Sequence, residues 1–420
     1  MSANADTDNT QAKKLDILIV GAGIAGLSFV YALKRSEIYR KGLISYRIIE
    51  KKQAPSIDLG YPIHLSSAAR QALEDILIPS DLTKLQKAQS TIPVYHDGLT
   101  VCNYKGEAMW RTVRDPGVRP MIEREDLTGI LRDGVDEDRV EYSKELKSLD
   151  EIVNGEAVEV VLSNGEKFKV DLIIGADGMF SHTRQLFYPH TKVDLIEKLP
   201  WTIINSRYTS PEVLDWCKDQ NGINTIVGDS FSATMIPLAK PSVYVALTIP
   251  SKWLEPSYCT KLSKCTCEPT IHSLFLRQLE NSDGWPRRKG FQMYSTNKTV
   301  AGRGKVVLLG DAAHGMPPFC GAGAGSAIVD SVELVKVLNR GIVDNLNSSL
   351  GDYMTQSRLR NDPLIKASKR LLWLAQGHTE LTMIARKVVF WGLEMKEKLG
   401  GSRQRAEVEL RKVIEEVRKG

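Results

Sequence analysis

Four short runs along the chain are almost wholly apolar: Leu15 to Val20, Tyr46 to Ile49, Val170 to Ile174 and Val306 to Leu309. Runs of this length without alternation are the pattern of strands covered on both faces, as in a parallel sheet. Helical spacing follows the first run, with Leu27, Val30, Tyr31 and Leu33 on one side, and the last run, with Ile328, Val329, Val332 and Val335 from Ser326 onward. Further helices are expected from Ser66 to about Leu77 and from Glu123 to about Arg132, and a few extra turn residues around Ile38 to Leu43. Thr91 to Val113 alternates like hairpin strands, and Asn154-Gly155 and Asn164-Gly165 read as hairpin turns. From Leu199 the pattern changes. Trp201 to Tyr208, Phe231 to Leu238, Val243 to Ile249 and Phe291 to Ser295 are spaced as in an antiparallel sheet, with a helix around Ile271 to Gln278. Beyond Asn339 the chain is helical and charged, and Ala406, Leu410, Val413 and Val417 form one apolar seam. The expected fold class is α/β: a parallel-sheet domain, an inserted antiparallel sheet and a helical C-terminal tail.

Composition narrows this little. The chain has 420 residues, a net charge of +5 and six cysteines. The charge is spread out, with no dense basic block interleaved with aromatics, so nucleic-acid binding has no support. No apolar run reaches the ~18 residues of a membrane span. The first fourteen residues, MSANADTDNTQAKK, are polar and read as a disordered tail. Cys259, Cys265 and Cys267 lack the partners of a metal site and read as free thiols, in keeping with a reducing, cytoplasmic setting.

The chemistry is carried by the segments that follow the apolar runs. Leu15 to Val20 leads directly into Gly21-Ala-Gly23-Ile-Ala-Gly26 and a helix. This is G-x-G-x-x-G between a strand and a helix: a glycine for the turn, one for close approach of a pyrophosphate, one for helix–strand packing. The second strand ends in Glu50, placed to accept hydrogen bonds from the ribose hydroxyls of an adenosine. The third run closes with Gly175-Ala-Asp177-Gly178 and SHTR at Ser181 to Arg184. The fourth delivers Asp311 and then a loop that Pro317 and Pro318 keep out of helix and central strand. Gly321, Gly323 and Gly325 let the backbone approach a ligand, and a helix N-terminus points back at it. Such an end carries roughly half a positive charge.

GAGIAG, GADG with SHTR, and GDAAHGMPPFCGAG, in this order, resemble the class A FAD-dependent monooxygenases, the para-hydroxybenzoate hydroxylase-like group. IDLGYPIHL, MIEREDL and the MPPF loop are most similar to the tetracycline-inactivating and fungal salicylate hydroxylase-like enzymes. The resemblance spans roughly Leu15 to Leu338. It implies a Rossmann-like FAD-binding domain over 15–195 and 296–345, a substrate domain over 196–295, and C-terminal helices over 346–420. It implies that Gly21, Gly23 and Gly26 hold the FAD pyrophosphate and Glu50 the adenosine ribose. Gly60 and Arg124 would contact the cofactor, Asp177 and Gly178 would serve both FAD and NAD(P)H, Asp311 would bind the ribityl chain, and Pro317, Gly321, Gly323 and Ala324 would cross the ring. Gly325 departs from the group, which often carries Asn there, and His314 is expected to hold the loop rather than transfer protons.

The activity implied is NAD(P)H- and O₂-dependent oxygenation through a flavin C4a-hydroperoxide, in secondary metabolism. NAD(P)H would dock transiently, because no second glycine fingerprint follows another strand. The substrate would be an aromatic or polycyclic small molecule between the inserted sheet and the flavin, with Arg207, Phe231 and Met235 as candidate lining residues. No catalytic side chain is singled out, and no metal. Hydroxylation, epoxidation and Baeyer–Villiger insertion remain open, as do a monomer and a homodimer. A halogenase is disfavoured, because TIIN follows Trp201 where such enzymes carry W-x-W-x-I-P. A flavin reductase and a non-catalytic escort protein are compatible with the same glycine turns.

Overall fold

The computed structural model describes residues 14–54, 61–90, 98–111, 121–136, 139–151, 157–187, 195–209, 211–219, 222–228, 230–238, 242–254, 291–341 and 345–377, with 385, 386, 388, 389 and 392. The N-terminal tail, Gly60, the Asn154-Gly155 turn, Cys259, Cys265, Cys267, the helix around Ile271 to Gln278 and the seam from Ala406 to Val417 lie outside the described residues.

The apolar runs become neighbours. A six-stranded sheet has the spatial order Gly302–Arg303, Val306–Leu308, Leu172–Gly175, Leu15–Val20, Ile44–Glu50 and Val140–Tyr142. Every pairing in it is parallel except that of the Gly302–Arg303 edge. The missing alternation has a direct cause. Ile17 and Ile19 pack under the helices Ile24–Arg35 and Gly323–Gly341, whereas Leu18 and Val20 pack on Leu146, Val158, Val160 and Leu162 of a three-stranded antiparallel sheet. Both faces of the central strands are therefore core.

Three local expectations are revised. Val170 to Ile174 is not one strand: Lys167–Val170 belongs to the three-stranded sheet and Leu172–Gly175 to the larger one. Asp171 breaks the run, and its carboxylate accepts from Asp16 N at 2.9 Å. The turn after the first helix contains a helical turn of its own, Glu37–Arg40, capped by Ser36 Oγ accepting from Tyr39 N. The helix expected from Ser326 begins at Gly323. The other helices, Ser67–Ile76 and Arg124–Asp133, and the Asn164-Gly165 turn with Gly165 at φ +87° follow the pattern of the chain.

A second large sheet has seven strands, ordered Phe291–Thr296, Ile196–Tyr208, Val243–Pro250, Ser232–Pro237, Gly222–Val227, Gly98–Asn103 and Ala108–Arg111. Its last two strands come from the alternating stretch well before residue 196. Cross-strand partners share a face, so the register sorts its side chains. Ile204, Leu247, Ala233, Ile226 and Cys102 lie on one face, packed with Val213 and Cys217 of the helix Pro211–Asp219. Met235 and Phe231 belong to that same core, at 0% and 4% exposure. The lining role expected for both is corrected: their volume is used up in packing. Helix Leu346–Gln376 runs from the nucleotide sheet to the second sheet. Near its far end Arg386 donates to the carbonyl oxygens of Leu374, Ala375 and Gly377 and, at 2.8 Å, to Gly228 O. Among the described residues no helix is long and apolar enough to cross a membrane.

Met235→Ala removes a fully buried side chain and leaves a cavity that its neighbours cannot close. It is expected to lower unfolding stability by about 2–5 kcal/mol in chemical denaturation. The capacity to bind a nucleotide, built on the other sheet, is expected to be retained.

Candidate functional site

The three glycine–acid turns sit at the carboxyl ends of three adjacent strands, where open α/β sheets place their ligands. They touch through backbone. Gly21 has φ +106°, and a Cβ there would lie 2.5 Å from Ala176 O. A Cβ on Gly26 would lie 2.0 Å from Gly21 O. Ala176 N donates to Val20 O at 2.8 Å, and Leu309 N to Gly175 O at 2.9 Å. Gly310, at φ +57°, sits with its Cβ position 3.1 Å from the Cβ atoms of Ala25 and Ala327.

Gly23 differs from its two neighbours in the fingerprint. Nothing lies within 4 Å of where its Cβ would stand. The protein's own packing does not require glycine there, but a ligand lying on the loop would. Glu50 reaches the same loop: its Oε2 accepts from Ala22 N at 2.9 Å and its Oε1 from Lys52 N at 3.0 Å. Each oxygen keeps a further lone pair for an incoming hydroxyl. A dinucleotide fits this donor set and this open backbone.

Asp311 occupies the other end. It is open to solvent yet crowded by protein, and desolvation raises its pKa against the lowering pull of His314, Arg124 and Arg184. A Cβ on Gly323, the first residue of the long helix, would lie 3.7 Å from Asp311 Oδ1. The helix N-terminus and the carboxylate therefore face the same space. Arg124 opens the helix Arg124–Asp133, with its guanidinium 5.9 Å from the centre of the Tyr61 ring. Arg124 lies close enough to Asp311 for its charge to pull the carboxyl pKa down.

Asp177 points inward and organises its own turn. Its Oδ2 accepts from Thr183 N and Thr183 Oγ1, both at 2.9 Å, while its Oδ1 is buried without a partner. Gly178 takes φ +83°. Arg184, the last residue of SHTR, has a structural role that its sequence position did not reveal. It is 1% exposed and donates to Ala312 O and Met179 O, clamping the GADG turn onto the Asp311 turn. Burial lowers its pKa, and Asp177 and Asp311 oppose that effect.

The proline loop is held from below. Pro317 O accepts from Ser368 Oγ, and Gly321 takes φ +59° beside His64. Gly325 is buried, with its Cβ position 3.3 Å from Ala69 Cβ and 3.6 Å from Ser66 Oγ. A longer side chain there meets the start of the helix Ser67–Ile76, which explains glycine where Asn is usual. Ala324 lies in the first turn of the long helix and packs on the main core.

His314 is fully buried, and its Nε2 lies 3.0 Å from Asp330 Oδ2. Asp330 also accepts from Ser357 Oγ at 3.0 Å, Asn361 Nδ2 at 3.1 Å and Arg360 at 2.9 Å. Burial raises the Asp330 pKa, but the His314 hydrogen bond and charge and the Arg360 guanidinium outweigh it, so the net shift is downward. Sequence reasoning missed Asp330. The available signal was its place on the apolar side of its helix, one residue before the buried Ser331.

Arg207 is an ion-pair partner, with Nη2 2.8 Å from Glu123 Oε2, both side chains mostly covered. This bond ties the second sheet to the residue before Arg124. Phe319 of the proline loop packs on the cluster that holds Val101 and Val227 of that sheet, on the face opposite Met235, and on the cluster of Leu199, Met293 and Leu372.

Comparison with known proteins shows the family and the fold. The family described as FAD binding domain matches residues 113–364. The chain belongs to this family of FAD-dependent monooxygenases. An FAD-dependent monooxygenase, adaC, of Aspergillus niger is 24% identical over 412 residues, covering 88% of this chain and 96% of its own. The chloroplastic zeaxanthin epoxidase of Spinacia oleracea is 27% identical, over 83% of this chain but 52% of its own length. Among solved structures, Klebsiella pneumoniae HpxO complexed with FAD and uric acid superposes with a TM-score of 0.73 at 20% identity, over 95% of this chain and 97% of its own. A salicylate hydroxylase substrate complex does so with 0.70 at 16%, over 95% and 98%.

Gly23→Ala adds a methyl where the protein leaves space. It is expected to leave the melting temperature of the FAD-free protein unchanged and to lower FAD content after purification. Gly26→Ala collides with backbone and is expected to lower both. For Asp330, the folded pKa lies below the unfolded value of about 3.9, so its contribution is complete above that value and is lost as pH falls through the folded pKa. The stability gap between the protein and Asp330→Asn is expected to be constant above about pH 5 and to shrink below about pH 4, measured by denaturant titration at each pH.

Proposed function

We propose that this protein is an NAD(P)H- and O₂-dependent monooxygenase acting on an aromatic or polycyclic small molecule. We read these turns as one groove, and what supports it is Glu50 on the loop of the open Gly23 together with Asp311 beside the N-terminus of the helix at Gly323. Bound FAD would accept a hydride from NAD(P)H and pass one atom of O₂ to substrate. The balance is substrate, O₂, NAD(P)H and a proton giving oxygenated substrate, water and NAD(P)⁺.

The roles of the chain's own residues follow from charge and position. Gly21, Gly23 and Gly26 would admit the pyrophosphate, Glu50 would accept from the adenosine ribose, and Asp311 from the ribityl hydroxyls. Arg124 would balance the charge on Asp311 and approach the cofactor from the side of Tyr61. The helix starting at Gly323 would stabilise negative charge on the reduced ring, since its first N–H groups have no partner within the helix. Pro317, Gly321, Gly323 and Ala324 would form the wall along the ring. Asp177 and Gly178 would serve the transient docking of NAD(P)H. Names of relatives, a zeaxanthin epoxidase and a salicylate hydroxylase among them, support an oxygenase rather than a reductase.

The test uses the FAD-loaded protein under ¹⁸O₂ with NADPH or NADH and a panel of phenols and polycyclic hydroxyaromatics. Incorporation of one ¹⁸O per nucleotide oxidised is expected for at least one substrate. Nucleotide oxidation that yields only hydrogen peroxide across the panel would make the protein a reductase.

A further inference from the structure

The second sheet has two faces. The one turned away from the proline loop is buried, with Thr100 and Asn224 set among its apolar residues. The face turned toward it carries a row fixed by register: Asn205 opposite Ala246, Ala246 opposite Thr234, Thr234 opposite Thr225. All four are half-buried, as are Arg207 and Ile236 in the row on one side, whereas on the other side Thr248, Ser232 and Val227 are buried, Val227 with Phe319 and Trp110. The row therefore belongs to the partly open stretch of the face beside the proline loop.

Its polar groups are uncharged and under-used. Thr225 Oγ1 and Thr234 Oγ1 lie 3.1 Å apart and satisfy one hydrogen bond between them. Asn205 Oδ1 is buried and has no partner. A buried amide oxygen without a donor costs about 1–3 kcal/mol, so such a group calls for a ligand or another explanation. Two residues along the same strand, Arg207 is the cation that the register places on this face among the described residues, and Glu123 neutralises it at 2.8 Å. The nearby Arg124 faces Asp311. No described cation on the wall is left to hold a carboxylate, and an anion would also meet Glu123.

We infer that this wall selects an uncharged, hydroxylated aromatic over an aromatic carboxylate, with Asn205 accepting a hydrogen bond from a hydroxyl of the substrate and Thr225 and Thr234 completing a neutral polar strip. This rests on the reading of the groove as an oxygenase site and specifies its substrate. Asn205 is a specificity-determining residue here, and it takes no part in oxygen activation.

The probes are 1,8-dihydroxyanthraquinone and the same ring system carrying one carboxylate, titrated into the oxidised, FAD-loaded protein without NAD(P)H. Binding is read from the flavin absorbance difference spectrum. The uncharged probe is expected to bind at least tenfold more tightly than the acid. Asn205→Leu is expected to weaken it about tenfold, the loss of one hydrogen bond of ordinary strength, with FAD content unchanged and the acid unaffected. Thr234→Val, of nearly the same volume, keeps the test readable if the Asn205 variant does not fold, and is expected to weaken the uncharged probe severalfold. Glu123→Gln, which frees Arg207, is expected to narrow the preference by strengthening the acid. Equal affinity for the two probes, tighter binding of the acid, no binding of either, or unchanged constants in folded variants would overturn the inference. A protein that shows this preference but incorporates no ¹⁸O would overturn the oxygenase reading and leave the wall's selectivity standing.

Discussion

Three strand ends meet so closely that no side chain fits between them, and the site depends on that. The position of a Cβ on Gly26 would stand 2.0 Å from a carbonyl oxygen of its own loop, and one on Gly21 would stand 2.5 Å from a carbonyl of the neighbouring turn. Such contact is possible only because the strands are parallel, adjacent and buried on both faces, so that their ends cannot drift apart. Arg184 adds a polar means of holding two turns whose backbones carry acceptors and few donors: a guanidinium with donors in a fixed fork. Its charge is buried at a cost, and the nearby carboxylates of Asp177 and Asp311 offset part of it. The same constellation leaves Asp311 facing open space.

Below the loop, electrostatics fix what sterics do not. Proline makes the segment after His314 rigid, but rigidity alone sets no height above the groove. Asp330 does: it gathers His314 from the loop side and Ser357, Arg360 and Asn361 from the following helix. A buried carboxylate is costly unless it is paired and hydrogen-bonded, and here the cluster that meets it joins three chain segments. Removing one partner would strand the others, so the cluster specifies one arrangement of loop and helices.

Much of the nucleotide sheet was legible because burial on both faces erases alternation, a pattern seen directly in residues such as Ile17 to Val20. The glycine fingerprint and Glu50 were legible for a similar reason: close approach admits few residue types. Legibility failed where a decision belongs to tertiary contact. Asp171 splits an apolar run because Asp16 stands opposite it, 155 positions away in sequence. Met235 and Phe231 looked like ligand-lining residues since an apolar side chain carries no mark of which face it will occupy. Asn205 and Thr225 were invisible for the converse reason, as small polar residues in a strand read as ordinary edge or surface positions. Register alone reveals that they share a wall.

Helix Leu346–Gln376 gives these parts a common frame. Ser368 holds Pro317 on the nucleotide side, while Gln376 meets Ser230 O and Ser232 of the second sheet and Arg386 closes the helix end against Gly228. At about 1.5 Å per residue its 31 residues, with Pro363 among them, rise roughly 46 Å along the helix. The proline loop and the sheet beside it are therefore both held by one helix. A gene fragment that ends near Gly341, where the parallel sheet is already complete, would encode every glycine turn and still lack the beam that sets the gap between the two halves.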